Sequence, residues 1–208
     1  MKNTKKLKFF MYIYALFLTL QHQTHTAEII VDKNSNSNVT IDKGPNGKTD
    51  LVNINTPNQK GVSHNVFKEF NVDKSGVILN NGAYFTTSEL SGLIYGNPNL
   101  QKEGKAAKLI LNEVNGTNRS KIEGFTEITG KKADYILANP NGIFVNGAGF
   151  INVGRTTLTT GVPKFDSLGN VKSLDVNDGT IVIGSSGLDT RNISMFDMVS
   201  RTDRKSVV

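Results

Sequence analysis

The amino-acid sequence predicts an all-β chain built as a parallel β-helix, in which short strands stack in successive coils. Apolar triplets rich in Ile, Val, Phe and Thr recur along the chain between corners rich in Asn and Gly. No segment has a convincing amphipathic helical period, and the same Asn-Pro-Asn corner occurs twice. A chain of about ten such strands without helices belongs to the all-β class.

The first 27 residues predict a secretory signal peptide that is removed from the mature chain. Four lysines within the first eight residues precede an apolar core at residues 9–20, and a small residue, Ala27, follows a polar stretch. The core is shorter than the roughly 20 residues that a membrane-spanning helix needs. A short membrane anchor is the alternative that the sequence leaves open.

The net charge gives no support for a nucleic-acid partner. The chain has 24 Lys and Arg against 18 Asp and Glu, but four of the lysines lie in the predicted leader. The remainder therefore carries 20 basic residues against 18 acidic ones, a net charge of +2, with both signs mixed along the chain. A basic stripe, the usual footprint of nucleic-acid binding, is missing from this pattern.

After the leader, the expected strands follow one another in chain order. They lie at residues 28–31, 39–41, 51–55, 61–72, 76–82, 93–95, 109–114, 120–130, 171–176 and 179–184, in addition to the central stretch. The sequence KGPNGK at 43–48 predicts a turn between the second and third strands. Residues 88–90 allow a single helical turn, and 161–169, which contain Pro163, predict a loop.

The central stretch at residues 133–160 shows the pattern most clearly. Its apolar runs predict three strands, at residues 135–137, 143–145 and 151–153. In the corner Asn139-Pro140-Asn141-Gly142, proline presets its φ for the second position of a turn, and Asn141 and Gly142 suit the last two positions. Asn139 precedes proline, which favours extended backbone, so we expect the strand to end there.

The same corner occurs earlier, as Asn97-Pro98-Asn99-Leu100. Its spacing of 42 residues from the second corner corresponds to two coils of about 21 residues, a period typical of stacked-coil folds. Asn also recurs at expected strand ends, where side-chain amides could bridge successive coils, at Asn80, Asn112, Asn146 and Asn152. A β-sandwich would instead show two-residue hairpin turns and clean alternation. We expect the first strands to cap one open end of the stack.

Eight short segments form an ordered series along the chain. They are GVSHN (61–65), FNV (70–72), ILNN (78–81), GNPNL (96–100), LNEV (111–114), ANPNGI (138–143), GFIN (149–152) and TLTTG (157–161). The series resembles the amino-terminal secretion domain of filamentous haemagglutinin and haemolysin-type exoproteins, the substrates of two-partner secretion. The resemblance implies a right-handed parallel β-helix over residues 28–202, with an amino-terminal cap and small β elements outside the helix.

The resemblance also implies a partner and a location. In this family, periplasmic POTRA modules of an outer-membrane transporter recognise the domain, and the rest of the chain is then exported. We therefore expect a protein of a Gram-negative bacterium that passes through the periplasm and is secreted or held at the cell surface. Contact with a host cell surface would fall to a region downstream of residue 208.

Carried over to the matching positions, the resemblance assigns a role in secretion to both Asn-Pro-Asn segments. The residues are Asn97, Pro98, Asn99, Leu100, Asn139, Pro140, Asn141, Gly142 and Ile143. The same residue types are what tight corners require, so fold maintenance and direct contact with the transporter are both open at this point.

Residue types that catalysis needs are sparse. The chain has no cysteine, and the only histidine beyond the leader, His64, lies among turn residues, where we expect a hydrogen-bonded structural role. Acidic residues, which a polysaccharide lyase or glycosidase would need in pairs, are scattered singly among turns at Asp134, Asp166, Asp175 and Asp178. We therefore expect no enzymatic activity, no metal and no cofactor.

A free-standing β-helical adhesin module that binds host glycans or proteins is the alternative function. Arg155, Arg191 and the Asn-rich corners could supply such contacts. The residues alone do not distinguish a ligand site from a solvated face.

The carboxyl end has its own interpretation. Residues 188–201 still fit the family pattern, which normally runs on into further coils. The last six residues, DRKSVV at 203–208, read as one forward frame of a sequencing adapter. We therefore expect a non-native tail after a truncated secretion domain.

Overall fold

Nearly all regular structure in the described part of the chain is β-strand. The structure, a computed structural model, describes residues 28–205, so the predicted leader lies outside the described residues. The first ten strands are β1 (Ile29–Val31), β2 (Thr40–Lys43), β3 (Asp50–Asn53), β4 (Val62–Phe70), β5 (Val77–Asn81), β6 (Thr86–Ser88), β7 (Gly92–Ile94), β8 (Leu109–Val114), β9 (Ser120–Ile122) and β10 (Phe125–Gly130). The other ten are β11 (Ala133–Ala138), β12 (Ile143–Val145), β13 (Ala148–Ile151), β14 (Val153–Thr159), β15 (Val162–Phe165), β16 (Val171–Asp175), β17 (Thr180–Ile183), β18 (Leu188–Asp189), β19 (Met195–Val199) and β20 (Thr202–Lys205).

Within residues 28–205, a single short helix interrupts this pattern. It is α1 (Pro98–Gln101), between β7 and β8. Within the described part of the chain, no helix has the length and apolarity that crossing a membrane requires.

Three sheets form the faces of the coil stack, and their strands are parallel except for β1 and β2 at the amino-terminal end. Sheet A has the order β1-β4-β8-β11-β14-β19, sheet B the order β18-β13-β10-β5-β3-β2, and sheet C the order β20-β17-β12-β9. From β8 onwards each coil supplies one strand to A, then C, then B, before the chain returns to A. In the coil before it, Val72 forms a single parallel bridge to Ile122 in place of a full sheet C strand. The predicted parallel β-helix is confirmed by this topology.

The amino-terminal end of the stack is capped. β1 runs antiparallel to β4, and β2 and β3 form an antiparallel hairpin whose second strand joins β5 in parallel. The predicted KGPNGK turn connects this hairpin. Antiparallel strands break the register on which a further coil could stack, so the cap closes that end of the β-helix.

The interior is filled by inward-facing apolar side chains from all three sheets. Among the largest fully buried side chains are Phe67, Phe70, Leu79, Ile110 and Leu137. Such a core drives the stacking of coils, because each coil buries its apolar face only against its neighbours.

Asparagine side chains bridge successive coils, as the sequence predicts. Asn80 Nδ2 donates to Asn53 Oδ1 at 2.9 Å, and Asn112 Oδ1 accepts from Asn65 Nδ2 at 3.0 Å. These two pairs are residues directly opposite each other in the parallel ladders. Asn146 and Asn152 also reach neighbouring coils but bond to backbone instead: Asn146 accepts from the N–H of Ser186, and Asn152 donates to the carbonyl of Ile128.

Two excursions leave the coil stack. The first contains the antiparallel β6–β7 hairpin and α1, and the second is the antiparallel β15–β16 hairpin. They correspond to the small β elements outside the helix that the family resemblance implies.

The strand predicted at 151–153 is wrong, because a corner at Asn152, with a φ of +56°, separates β13 from β14. Three further local predictions are wrong because of an excursion. The expected loop at 161–169 contains β15, since Pro163 is tolerated in a two-stranded sheet whose strands are both edges. Residues 88–90 do not form a helical turn but close the β6–β7 hairpin, and the helical turn lies at α1. The spacing of 42 between the Asn-Pro-Asn segments does not measure two coils, because Asn97 lies in the first excursion. The undisturbed coils place Tyr135 opposite Ile110, 25 positions earlier, and opposite Thr156, 21 positions later.

The last strand extends the stack beyond residue 201. β20 pairs in parallel with β17, with Asp203 opposite Ile181. It includes residues of the expected non-native tail, whose foreign origin stays a prediction.

Candidate functional site

Asn97 joins the first excursion to the amino-terminal coils. Its side chain is fully buried, and its Nδ2 donates to the carbonyl oxygens of Ile54 (2.9 Å) and Asn80 (2.8 Å). Its Oδ1 accepts from the backbone N–H of Asn99 at 2.9 Å, which closes the turn and caps α1. Pro98 is the first residue of α1, where the absent N–H would have no partner in any case, and it is exposed to solvent.

The next two residues extend this anchor. Asn99 Nδ2 donates to the carbonyl oxygens of Asn38 (2.9 Å) and Ile54 (3.1 Å), while the Asn99 carbonyl accepts from Thr56 Oγ1 at 2.6 Å. Leu100 is fully buried. The first Asn-Pro-Asn segment therefore fastens α1 to the cap of the β-helix.

Asn139 has the same role in a corner of the coil stack. Its side chain is fully buried, and its Nδ2 donates to the carbonyl of Asn118 and the hydroxyl of Ser120, both at 3.0 Å. Its Oδ1 accepts from the backbone N–H of Asn141 at 3.0 Å. The amide thus closes the turn between β11 and β12 and binds that turn to the preceding coil. Pro140, between Asn139 and Asn141, is half-buried.

The remaining residues of this corner follow the turn chemistry of the sequence. Asn141 is exposed, and its Nδ2 donates to the carbonyl of Gly116 at 2.9 Å. Gly142 has a φ of +109°, and a Cβ there would lie 2.8 Å from the carbonyl oxygen of Thr180. Ile143 is fully buried as the first residue of β12. Only glycine fits the fourth position of this corner.

The two segments repeat one local design in two separate places. In each, a buried asparagine closes a turn onto the N–H two residues later and sends its amide N–H groups to an earlier part of the chain. Asn97 and Asn99 bond to residues 38–82, and Asn139 and Asn141 bond to residues 116–159. The structure therefore does not unite the nine predicted residues in one surface site. Four of the nine side chains are fully buried, those of Asn97, Leu100, Asn139 and Ile143.

The histidine considered for catalysis takes part in contacts between coils. His64 Nε2 lies 2.7 Å from Glu113 Oε2, and its ring packs on Phe165 with 4.7 Å between ring centroids. The expected hydrogen-bonded role of His64 is confirmed. These two contacts connect β4 with β8 and with the second excursion.

The acidic and basic residues singled out from the sequence are each engaged locally. The four carboxylates pair as follows: Asp134 with the N–H of Arg155, Asp166 with Asn170, Asp175 with Lys164 and Asp178 with the N–H of Gly179. Arg155 also donates to Asp197 at 2.5 Å. Arg191 hydrogen-bonds Asp189 and lowers the pKa of that carboxyl to about 2. Among residues 28–205, no group of three or more His, Cys, Asp or Glu is placed to hold a metal ion.

Neither of the two buried acids in the described residues, Asp32 and Glu127, was predicted. Glu127 in sheet B accepts from Ser88 Oγ (2.6 Å) and from the backbone N–H groups of Glu89 (2.8 Å) and Leu90 (3.1 Å). Its carboxylate thereby holds the tip of the β6–β7 hairpin against the coil stack. The one signal in the sequence is a charged residue in the middle of FTEITG, which otherwise suits a buried strand.

A known protein family matches this chain over the whole described range, residues 28–205. Residues 27–206 match the TPS secretion domain. The chain belongs to this family. The resemblance to the secretion domains of two-partner secretion is therefore confirmed.

Relatives of this TPS secretion domain are far longer proteins. It is 47% identical over 171 residues to the 16S rRNA endonuclease CdiA of Enterobacter cloacae subsp. cloacae. The aligned residues make up 82% of this chain and 5% of the relative. It is also 48% identical over 164 residues to the tRNA nuclease CdiA of Yersinia mollaretii. Here the aligned residues make up 78% of this chain and 5% of the relative. The chain thus spans about 5% of the length of these relatives.

A solved structure has the same fold. The crystal structure of a filamentous hemagglutinin secretion domain matches 84% of this chain and 56% of its own length, with a TM-score of 0.76 and 40% sequence identity. The TPS secretion domain described here is therefore a β-helix, as the sequence predicts.

Proposed function

We propose that this TPS secretion domain is the amino-terminal targeting module of a much longer exported protein. The observation that carries the proposal is the match of residues 27–206 to a secretion domain family. In the proposed mechanism, the POTRA modules of an outer-membrane transporter recognise the domain in the periplasm of a Gram-negative bacterium. The rest of the chain follows through the transporter to the cell surface or the medium.

The two ends of the β-helix support a second part of the mechanism. The cap closes the amino-terminal end, whereas β18, β19 and β20 are the outer strands of the three sheets at the other end. Met195, Met198 and Val199 on β19 are partly exposed, and a further coil would cover them. We propose that the capped domain folds first outside the cell and that downstream coils then add to β18–β20, one after another.

For the Asn-Pro-Asn segments we propose a role in secretion that acts mainly through the fold. The buried amides of Asn97 and Asn139 hold the segments in place, and Pro98 and Asn141 are the most exposed residues of the two segments. Direct contact with the transporter would involve these exposed residues.

We also propose that the domain itself has no enzymatic activity and needs no cofactor. The local pairing of His64 with Glu113 and of the four carboxylates with their neighbours supports this. Relatives are named as nucleases, but a segment like this chain makes up 5% of them. Toxicity, adhesion or haemolysis would lie in downstream regions, including any contact with a host cell. A free-standing adhesin is not favoured by the comparisons.

The test is export with and without the transporter. The full chain would be expressed with its own leader in a Gram-negative host, with or without its cognate outer-membrane transporter. We expect the chain in the medium only when the transporter is present, and in the periplasm otherwise. Equal amounts in the medium in both strains would contradict the proposal.

A further inference from the structure

The second excursion lies across the outer face of sheet A. Residues that lie opposite each other in a parallel ladder point to the same side of the sheet, because side chains alternate between the two sides along every strand. One row of opposite residues crosses five strands of sheet A, from β4 to β19, and consists of His64, Leu111, Ile136, Thr157 and Asp197. His64 contacts Phe165 of the second excursion, so the row lies on the side of the second excursion and not on the side of the interior.

This row is covered for much of its length. Leu111 is fully buried and Thr157 is 8% exposed, so another part of the chain covers the outer face at these positions. β16 contributes Val171 and Leu174 to a groove of about 550 Å³, and sheet A contributes Ile136 and Thr157 to the same groove. The second excursion is therefore the cover of this row. We call residues 161–176, which form it, the strap.

The tip of the strap is fastened to the amino-terminal coil. Asn58, in the segment between β3 and β4, donates from Nδ2 to the carbonyl of Leu168 at 3.2 Å and to that of Gly169 at 2.9 Å. These partners are 110 and 111 positions away from Asn58 in the sequence. The ring of Phe165 packs on His64 of β4 with 4.7 Å between the centroids. The strap therefore connects the coil of β4 with a part of the chain that lies far downstream.

The length of the strap fits this reach. The strap leaves the coil stack directly after β14, and sheet A places β11 and β8 between β14 and β4. Three steps between neighbouring strands amount to about 14 Å, since each step is about 4.8 Å. The four residues of β15 span about 13 Å at about 3.3 Å per residue. The strap consequently runs along the axis of the stack and passes over β11 and β8 to reach β4.

A stack without such a strap could open coil by coil. In stacked-coil folds each coil contacts its neighbours, so an end coil can detach while the others stay folded. Here the coil of β4 is also held by the strap, which begins at the end of β14. We infer that the strap is a latch: it makes the coils from β4 to β14 open and close as one unit, and it locks the amino-terminal coil only after the chain up to residue 176 has arrived.

The latch would set the order of events during export. This part of the inference rests on the proposed function, in which the domain folds outside the cell. The amino-terminal coil would gain its full stability in one late step, when the strap reaches Asn58 and His64. Downstream coils would then add to a domain that is already closed at both ends of the strap.

The experiment detaches the tip of the strap and preserves the loop that holds it. Asn58→Asp keeps the oxygen that accepts from the N–H groups of Lys60 and Val62, both at 3.0 Å, but replaces the donor to the strap by a carboxylate oxygen. Combined with Phe165→Ser, it removes both contacts of the tip with the amino-terminal coil. Leu168→Ser is the matched control, since this side chain lies on the same tip and is 63% exposed. Each full chain is purified from cells that lack the transporter, refolded from urea and measured by native-state hydrogen exchange at increasing urea concentrations.

In the unmodified chain we expect the N–H groups of β4 and β14 to exchange through one shared opening, with the same dependence on urea. In the double variant, exchange in β4 should become at least about tenfold faster than in β14, whereas Leu168→Ser should behave as the unmodified chain. Separate openings in the unmodified chain, no acceleration, equal acceleration in β4 and β14, or acceleration confined to the strap would each overturn the inference. If the double variant does not refold, Phe165→Ser alone is compared with Leu168→Ser by the same criteria.

These measurements do not involve the transporter, so a negative result leaves the proposed function standing. Export that does not need the transporter would instead contradict the proposed function and leave the latch in place.

Discussion

Gly142 combines an unusual backbone conformation with a close neighbour. Its φ is +109°, and a Cβ would meet the carbonyl oxygen of Thr180 at 2.8 Å. We expect Gly142→Ala to lower the free energy of unfolding by about 2–4 kcal/mol. Gly187→Ala is the matched control, because Gly187 has a φ of +69° but a Cβ there would meet nothing within 4 Å; its cost should stay near 1–2 kcal/mol, roughly that of the backbone alone. Urea unfolding measures both, and equal costs would show that the contact with Thr180 is unimportant.

Asp32 ties the cap to the coil stack in a pH-dependent way. Hydrogen bonds from the Asn115 side chain (2.6 Å) and the Asn34 N–H (3.0 Å), together with Lys68 at 3.3 Å, lower the pKa of this carboxyl. A lowered pKa in the folded state stabilises the fold above the unfolded value of about 3.9, and this stability is lost as pH falls through the folded pKa.

We therefore expect the urea concentration at half-unfolding to decrease when the pH is lowered from 6 to 3. The decrease should be smaller in Asp32→Asn. Asp178→Asn, at an exposed carboxylate away from the cap, is the control and should keep the slope of the unmodified chain. If the urea midpoint changed equally with pH in all three proteins, Asp32 would not be a cause of the pH dependence.

The turn chemistry of individual residues could be predicted from the sequence, but their partners could not. The order Asn-Pro-Asn-Gly predicts the corner at Asn139 because each residue type suits one backbone position. The partners of Asn139, Asn118 and Ser120, come from the preceding coil. Which residues face each other there depends on how β12 pairs with β9 of the preceding coil, and the sequence of the corner alone does not contain that pairing.

At the scale of elements, Glu127 fastens the tip of the β6–β7 hairpin to the coil stack. Its carboxylate accepts three hydrogen bonds from the tip of the β6–β7 hairpin. We expect Glu127→Ala to speed hydrogen exchange at the N–H of Glu89 by about tenfold or more, because it loses its acceptor, and to speed exchange less at Leu90, which also donates to Ser88 Oγ. Exchange in β8 and β11 should not change. Glu123→Ala, in the corner between β9 and β10, is the control, and equal exchange in both variants would contradict this role.

The elements of the coil stack were easier to predict than those of the excursions. A coil strand reads as a continuous apolar triplet bounded by Asn or Gly, as at β12, and such a triplet has few alternatives. In the excursions, Pro163 suggested a loop, and the short β6–β7 hairpin has no Asn-Gly turn to mark it. These elements are held by contacts with the coil stack, which local sequence does not specify.

At the scale of the whole molecule, the Asn-Pro-Asn segments link stability to export. Asn97→Ala with Asn139→Ala leaves several buried carbonyl groups and N–H groups unpaired, so we expect each substitution to cost about 2–5 kcal/mol. The double variant should be made in the periplasm at a normal level but exported less. Immunoblots of periplasm and medium measure this, and undiminished export would contradict the role in secretion.

Asn81→Ala is the control that separates folding from recognition. Asn81 is also fully buried, with its Nδ2 bonded to the carbonyls of Ala107 and Lys131 and its Oδ1 to the N–H of Ala107. If export falls in proportion to stability in all variants, the segments act through the fold. A larger fall in the Asn-Pro-Asn variants at equal stability would indicate direct contact with the transporter.

The stacking of strands from distant parts of the chain also sets how fast the domain can fold. Asn65 meets Asn112 across 47 residues, and Arg155 meets Asp197 across 42. Each such meeting closes a long loop before any contact rewards it, so a protein of this topology has high contact order and folds slowly for its size. In the proposed export, the chain would therefore still be extended while it passes through the transporter. This delay arises from topology alone.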